Sequence, residues 1–141
     1  MTAERIFRRL SGSRFLRFAA VGGAGFLVNE AALVLAKELL GAGDHAGWFI
    51  AFVPAVTFTW WGNRNLTFAD KASNGPLGML AEWARFVLTN SLGAAANFAV
   101  YAALIGWAPW PLNIPYIALA AGILAGLIFN FTLSKRLVFR N

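Results

Sequence analysis

The chain contains no cysteine and a single histidine among its 141 residues. Disulfides, thiolate nucleophiles and thiolate metal sites are thereby excluded. His45 sits beside Asp44 in a short polar link, with no second histidine to share a metal, and reads as a solvated loop residue. Charge is also scarce. Only 13% of the residues are Asp, Glu, Lys or Arg, where soluble domains carry roughly a quarter. No histidine stands near a serine, no acidic pair flanks a cleft, and no glycine loop carries a phosphate-binding lysine. The stretch Gly22-Gly23-Ala24-Gly25 lies inside an apolar run rather than after a strand, so a nucleotide loop fails on context. These absences lead us to expect neither an enzyme nor a metal or cofactor site.

What the chain does have is apolar surface. Hydrophobic residues make up 59% of it. A soluble domain of this length could not bury that much, whereas a bilayer accepts it. Four apolar runs stand out, over 15–40, 46–62, 80–105 and 112–133. Each is read as a transmembrane helix. Pro54 falls in the middle of the second run, where it removes a backbone donor and predicts a kink. Pro115 suits the first turn of the fourth. The first run follows Arg5, Arg8, Arg9 and Arg14, like a signal peptide, but it continues past the usual length and contains Glu30. It is read as a retained span. Ile6, Phe7 and Leu10 among those arginines suggest a short helix on the membrane surface.

The net charge is +6, from 12 basic and 6 acidic residues. The basic residues crowd the ends of the apolar runs, which fits the positive-inside rule rather than a nucleic-acid surface, so no nucleic-acid partner is expected. The amino end, the middle link with Arg64, Lys71 and Arg85, and the tail with Lys135, Arg136 and Arg140 hold almost all of them. The links 41–47 and 106–111 hold none, and Lys37 is the exception on that side. Both termini and the middle link are therefore expected in the cytoplasm.

The chain also repeats itself. Arg17-Phe18 leads to Gly25 and Asn29, and Arg85-Phe86 leads to Gly93 and Asn97 in the same register. The following runs close in Asn63-Arg64-Asn65-Leu66-Thr67-Phe68 and in Ser134-Lys135-Arg136-Leu137-Val138-Phe139. The expected fold is an all-α membrane protein of four transmembrane helices, arranged as two parallel two-helix repeats. We divide it into an interfacial segment 1–13, a first repeat 14–68, a cytoplasmic link 69–78 read as an exposed turn, and a second repeat 79–141. Trp48, Trp107 and Trp110 fall near the outer boundary, and Trp60, Trp61 and Trp83 near the inner one, as in an aromatic belt. Gly22, Gly23 and Gly25, with Gly122 and Gly126, offer flat faces for helix contact.

Polar groups inside a membrane need partners, so they mark candidate sites. Asn29 and Asn97 lie at matched depth, about 18 Å along the helix from Arg17 and Arg85. They read either as glue between helices or as ligand-facing amides. Asn130 in the fourth run is a further candidate. Glu30 is the one acid deep in the apolar runs; facing lipid would be costly, so it is expected against the bundle, a cavity or a partner subunit. Arg17, Arg64, Arg85, Lys135 and Arg136 gather at the inner edge. Singly they read as topology anchors that snorkel to headgroups. The matched Arg17 and Arg85 favour a specific phosphate site, because a guanidinium grips two phosphate oxygens in a fork.

The paired Arg-Phe motifs, the mid-span asparagines and the closing segment Asn130-Phe131-Thr132-Leu133-Ser134-Lys135-Arg136-Leu137-Val138-Phe139 resemble the GtrA-like family over almost the whole chain. Thr59-Trp60 stands where the second closing segment has Asn130-Phe131. The resemblance implies a multi-pass protein of the bacterial inner membrane, linked to cell-surface polysaccharide synthesis. It implies movement of a polyprenyl-phosphate-linked sugar across the bilayer, or assistance to a membrane glycosyltransferase. On that footing Arg17, Arg85, Arg64, Lys135 and Arg136 are expected to take the lipid phosphate. Asn29, Asn97 and Asn130 are expected to line the sugar path, together with Glu30, which joins them by its depth in the span and not by the resemblance. Membrane lipids, the glycosyltransferase and a second copy of the chain are the expected partners. A non-transporting anchor for the transferase and a proton-coupled efflux carrier using Glu30 are the alternatives.

Overall fold

The computed structural model describes residues 12–140. The surface helix expected around Ile6, Phe7 and Leu10 lies outside the described residues. Among these, the regular structure is entirely helical. Helix α1 spans Arg14–Leu40, α2 Asp44–Gly62, α3 Gly75–Trp107 and α4 Pro115–Leu133. Three segments, Arg14–Leu40, Gly75–Trp107 and Pro115–Val138, are long and apolar enough to cross a membrane. Helix α2 is the other, with 19 residues, or about 28 Å at about 1.5 Å per residue. The chain forms two compact units that divide between Ala72 and Ser73.

In the first unit α1 stops at Gly41, whose φ of 62° is the left-handed conformation that a Cβ disfavours. The Ala42 N–H reaches back to the Ala36 carbonyl at 3.1 Å and satisfies an end of the helix. Lys37 in the last turn of α1 pairs with Asp44 in the first turn of α2 at 2.6 Å. Each charge also sits at the helix end that its sign favours. Helix α2 continues unbroken through Pro54. It then passes into a π turn, Asn63–Thr67, and a short 3-10 turn, Ala69–Lys71.

In the second unit α3 begins earlier than its apolar pattern suggests. Gly75 and Pro76, expected in an exposed turn, instead form its first positions, with Asn74 as the cap. Proline suits that place because the first helical N–H has no partner in any case. Pro115 opens α4 in the same way. That helix ends in a second π turn, Ser134–Val138.

The core of each unit is small. Phe18, Ala55, Val56, Trp60 and Phe68 are buried in the first, and Phe86, Ala118, Val138 and Phe139 in the second. Large apolar side chains face outward instead: Leu27 is 67% exposed and Phe98 70% exposed. Hydrocarbon solvates such a surface at no cost, and water does not. Trp48, Trp61, Trp107 and Trp110 are exposed as a belt requires, but Trp60 is buried. It lies under Arg64, whose guanidinium carbon is 5.9 Å from the ring centroid.

Candidate functional site: the basic ends and the amides of the two hairpins

Each hairpin is held at its closing end by a ring contact. Phe18 meets Phe68 edge-on, with centroids 6.3 Å apart, and Phe86 meets Phe139 at 6.2 Å. These geometries follow from the π turns. A π turn bonds each N–H five residues back, as Phe68 does to Asn63 at 2.8 Å and Phe139 to Ser134 at 2.9 Å. The wider turn rotates the final phenylalanine inward, and both rings are fully buried.

Arg17 and Arg85 each precede one of these phenylalanines. Both are half-buried, and in both the Nε atom is buried without a hydrogen-bond partner among the described residues. A buried guanidinium N–H left unmade is costly, and an anion that reached it would recover that cost. Arg64 is half-buried against Trp60. Lys135 and Arg136 are exposed on the second π turn. Every basic residue expected at the inner edge thus lies at the closing end of its own hairpin.

The amides are placed by glycines. Gly93 makes room for Asn130: a Cβ there would collide with the side-chain Oδ1 of Asn130. Gly122 and Gly126 make room for Asn97, whose backbone carbonyl lies 2.7 Å from where a Gly122 Cβ would stand. In the first unit Gly25 admits Thr59 in the same manner. Gly22 and Gly23, expected to serve helix contact too, have open space around them. Asn29 and Asn97 are half-buried, and neither side chain makes a hydrogen bond among the described residues. The Oδ1 of Asn130 is buried and unpartnered. Glu30 is exposed and forms no ion pair among the described residues. The packing of its own hairpin therefore does not cover it.

Three polar features were not legible in advance. Glu82 is fully buried, and its Oε2 accepts the Ser73 N–H at 2.6 Å, which folds the middle link onto α3. Asn63 is buried, donates to the Thr59 carbonyl at 2.9 Å and accepts the Thr67 hydroxyl at 2.8 Å. Arg14 pairs with Asp70 at 2.7 Å. Asn63 and Thr67 stood in the repeated closing motif, so the motif itself carried that signal. The Ser73 N–H that Glu82 accepts is a backbone group, which no side-chain pattern reveals.

Outward apolar faces and three segments able to cross a bilayer define a multi-pass membrane protein. Residues 17–140 match the family described as GtrA/DPMS, transmembrane domain, and the chain belongs to that family. Comparison with curated proteins gives no match.

Proposed function

We propose that this protein moves a polyprenyl-phosphate-linked sugar from the cytoplasmic to the outer leaflet of the bacterial inner membrane, for synthesis or modification of a surface polysaccharide. Its four helices act as two parallel two-helix repeats, with both termini in the cytoplasm. The protein is a carrier and not an enzyme. Membership of the GtrA/DPMS transmembrane family supports a role in glycan synthesis. The observation that carries the phosphate assignment is the matched pair Arg17 and Arg85, each with a buried and unpartnered Nε. Arg64, Lys135 and Arg136 assist at the same end. The uncommitted amides of Asn29, Asn97 and Asn130 then substitute for water around the sugar, and Glu30 accepts from a sugar hydroxyl. The prenyl chain stays in hydrocarbon. Two copies of the chain together enclose the head group.

The test is transport by the purified protein in defined vesicles carrying a fluorescent polyprenyl-phosphate sugar. Arg17→Ala with Arg85→Ala should slow translocation strongly. Unchanged transport in the double variant would reject the phosphate assignment. A second reading draws on the exposed Lys135 and Arg136. These would suit a docking face for a membrane glycosyltransferase, with the protein as its anchor. That reading expects co-purification with the transferase and no translocation by the protein alone.

A further inference from the structure

The first hairpin contains an apolar cleft of about 270 Å³. It is lined by Ala20, Val21 and Ala24 of α1 and by Phe58, Trp61, Gly62 and Leu66 of the segment opposite. The volume falls below the roughly 300–1,000 Å³ of pockets that enclose a whole drug-sized ligand. It suits a segment of one chain rather than a complete molecule. Ala20 and Ala24 leave the cleft open, whereas the place of a Gly62 Cβ is taken by a Val21 methyl, 2.8 Å away. In the shared register of the two hairpins, Ala20 and Ala24 correspond to Leu88 and Leu92. The second hairpin therefore carries bulk where the first carries space.

The position of the cleft gives its occupant a charge. Arg17 lies three residues before Ala20 and seven before Ala24, on the same face of α1. Its Nε is buried and unpartnered among the described residues. An apolar slot in line with an uncommitted guanidinium matches an amphiphile with an anionic head and an adjoining apolar chain. We propose that this cleft seats the start of the apolar chain of a single-chain lipid phosphate, next to its head, and that the first hairpin alone seats that chain. The choice of a phosphate head rests on the transport reading above. The division of labour rests on Ala20 and Ala24 and their leucine counterparts.

The test is photolabelling of the full chain in phosphatidylcholine nanodiscs with farnesyl phosphate carrying a diazirine on its chain, followed by mapping of the labelled residues. Label should collect on Ala24, Trp61 and Leu66. Ala20→Leu with Ala24→Leu, which installs the residues of the second hairpin, should cut it roughly ten-fold, the effect of excluding about two methylenes. Ala20→Leu alone, at an exposed position, should give part of that loss with the fold intact. Leu88→Ala with Leu92→Ala should leave labelling unchanged. Arg17→Gln should weaken labelling by farnesyl phosphate and not by the uncharged farnesol analogue. Label spread equally over both hairpins, or indifferent to the leucines at 20 and 24, would overturn the inference. So would equal competition by a two-chain phosphatidic acid, since the cleft would then be an ordinary lipid contact. Wild-type protein that transports while its labelling ignores those leucines defeats the cleft and leaves transport standing. Labelling lost in the leucine variant, with no transport by the wild type, supports the cleft and defeats transport.

Discussion

In the first hairpin Thr59 packs on Gly25, and Asn63, one turn later, is bonded to the Thr59 carbonyl and the Thr67 hydroxyl. In the second hairpin Asn130 packs on Gly93, and Ser134 follows one turn later. The amide and the hydroxyl have exchanged places. The backbone ends in the same π turn both times, yet the polar outcome differs. In the first hairpin the amide completes the turn and is used up. In the second, the Asn130 Oδ1 and the Ser134 Oγ are both buried without a hydrogen-bond partner among the described residues. One turn is a closed structural device, whereas the other keeps hydrogen-bonding capacity in reserve. A polar group left unmade in hydrocarbon is expensive, and the proposed sugar path would draw on that capacity.

The largest expected effect probes the ends of the first helix in each hairpin. Glu82 precedes Arg85 by the spacing at which Arg14 precedes Arg17. Glu82 is fully buried on the Ser73 N–H, whereas Arg14 is tied to Asp70 at the surface. Glu82→Ala should cost about 3 kcal/mol, from a buried hydrogen bond lost at the Ser73 N–H and the space left behind. Glu82→Gln keeps an acceptor and should cost much less. Denaturation in detergent micelles measures both. Equal losses would show that charge, not the hydrogen bond, holds the link.

Next come the glycines. Gly25→Ala and Gly93→Ala should each cost about 2 kcal/mol through overpacking. Their rescues should differ. Thr59→Ser removes the methyl that a Gly25 Cβ would strike and should restore Gly25→Ala. Asn130→Ala should restore the stability of Gly93→Ala while reducing transport. Double-mutant cycles read the coupling. Independent effects would mean that these glycines serve the helices and not the side chains opposite.

A smaller contrast separates the π turns. Asn63→Ala strands the buried Thr67 hydroxyl and should cost about 1–2 kcal/mol. Ser134→Ala removes a hydroxyl with no partner and should stay within about 0.5 kcal/mol of the parent. Matching losses at both sites would end the distinction between a closed turn and an open one.

Much of this architecture was legible in the sequence. Hydrophobic length found the helices, and the Arg-Phe register aligned the two halves before any contact was known. The correspondence held even at Gly25 and Gly93, because a close contact demands the same small residue each time. The start of α3 was missed. Asn74, Gly75 and Pro76 signal a turn and a helix start with the same residues, and only the hydrogen bonds decide between them. Glu82 was missed for a different reason. A carboxylate near arginines at a helix end looks like surface charge, and its burial depends on a chain segment folding back over it. The cleft was invisible as well. Alanines in a membrane helix signal nothing until the opposite wall is known.

The smallest expected effect concerns the surface tether of the first hairpin. Arg14 and Asp70 are bonded at 2.7 Å, with side chains 35% and 56% exposed. The hydrogen bond from Arg14 holds the Asp70 carboxyl below its ordinary value of 3.8, against a smaller opposing effect of burial. A carboxyl with a depressed native pKa binds fewer protons folded than unfolded. Its contribution is therefore present above the unfolded value and is lost as pH falls through the native one. An exposed pair contributes little, and salt screens it further. Melting temperatures of the wild type and Asp70→Asn should thus differ slightly at neutral pH and low salt, and converge below about pH 3.8. A gap that persisted in acid would show that Asp70 acts through packing of the 3-10 turn. The two hairpins would then secure the same helix end by shape rather than by charge.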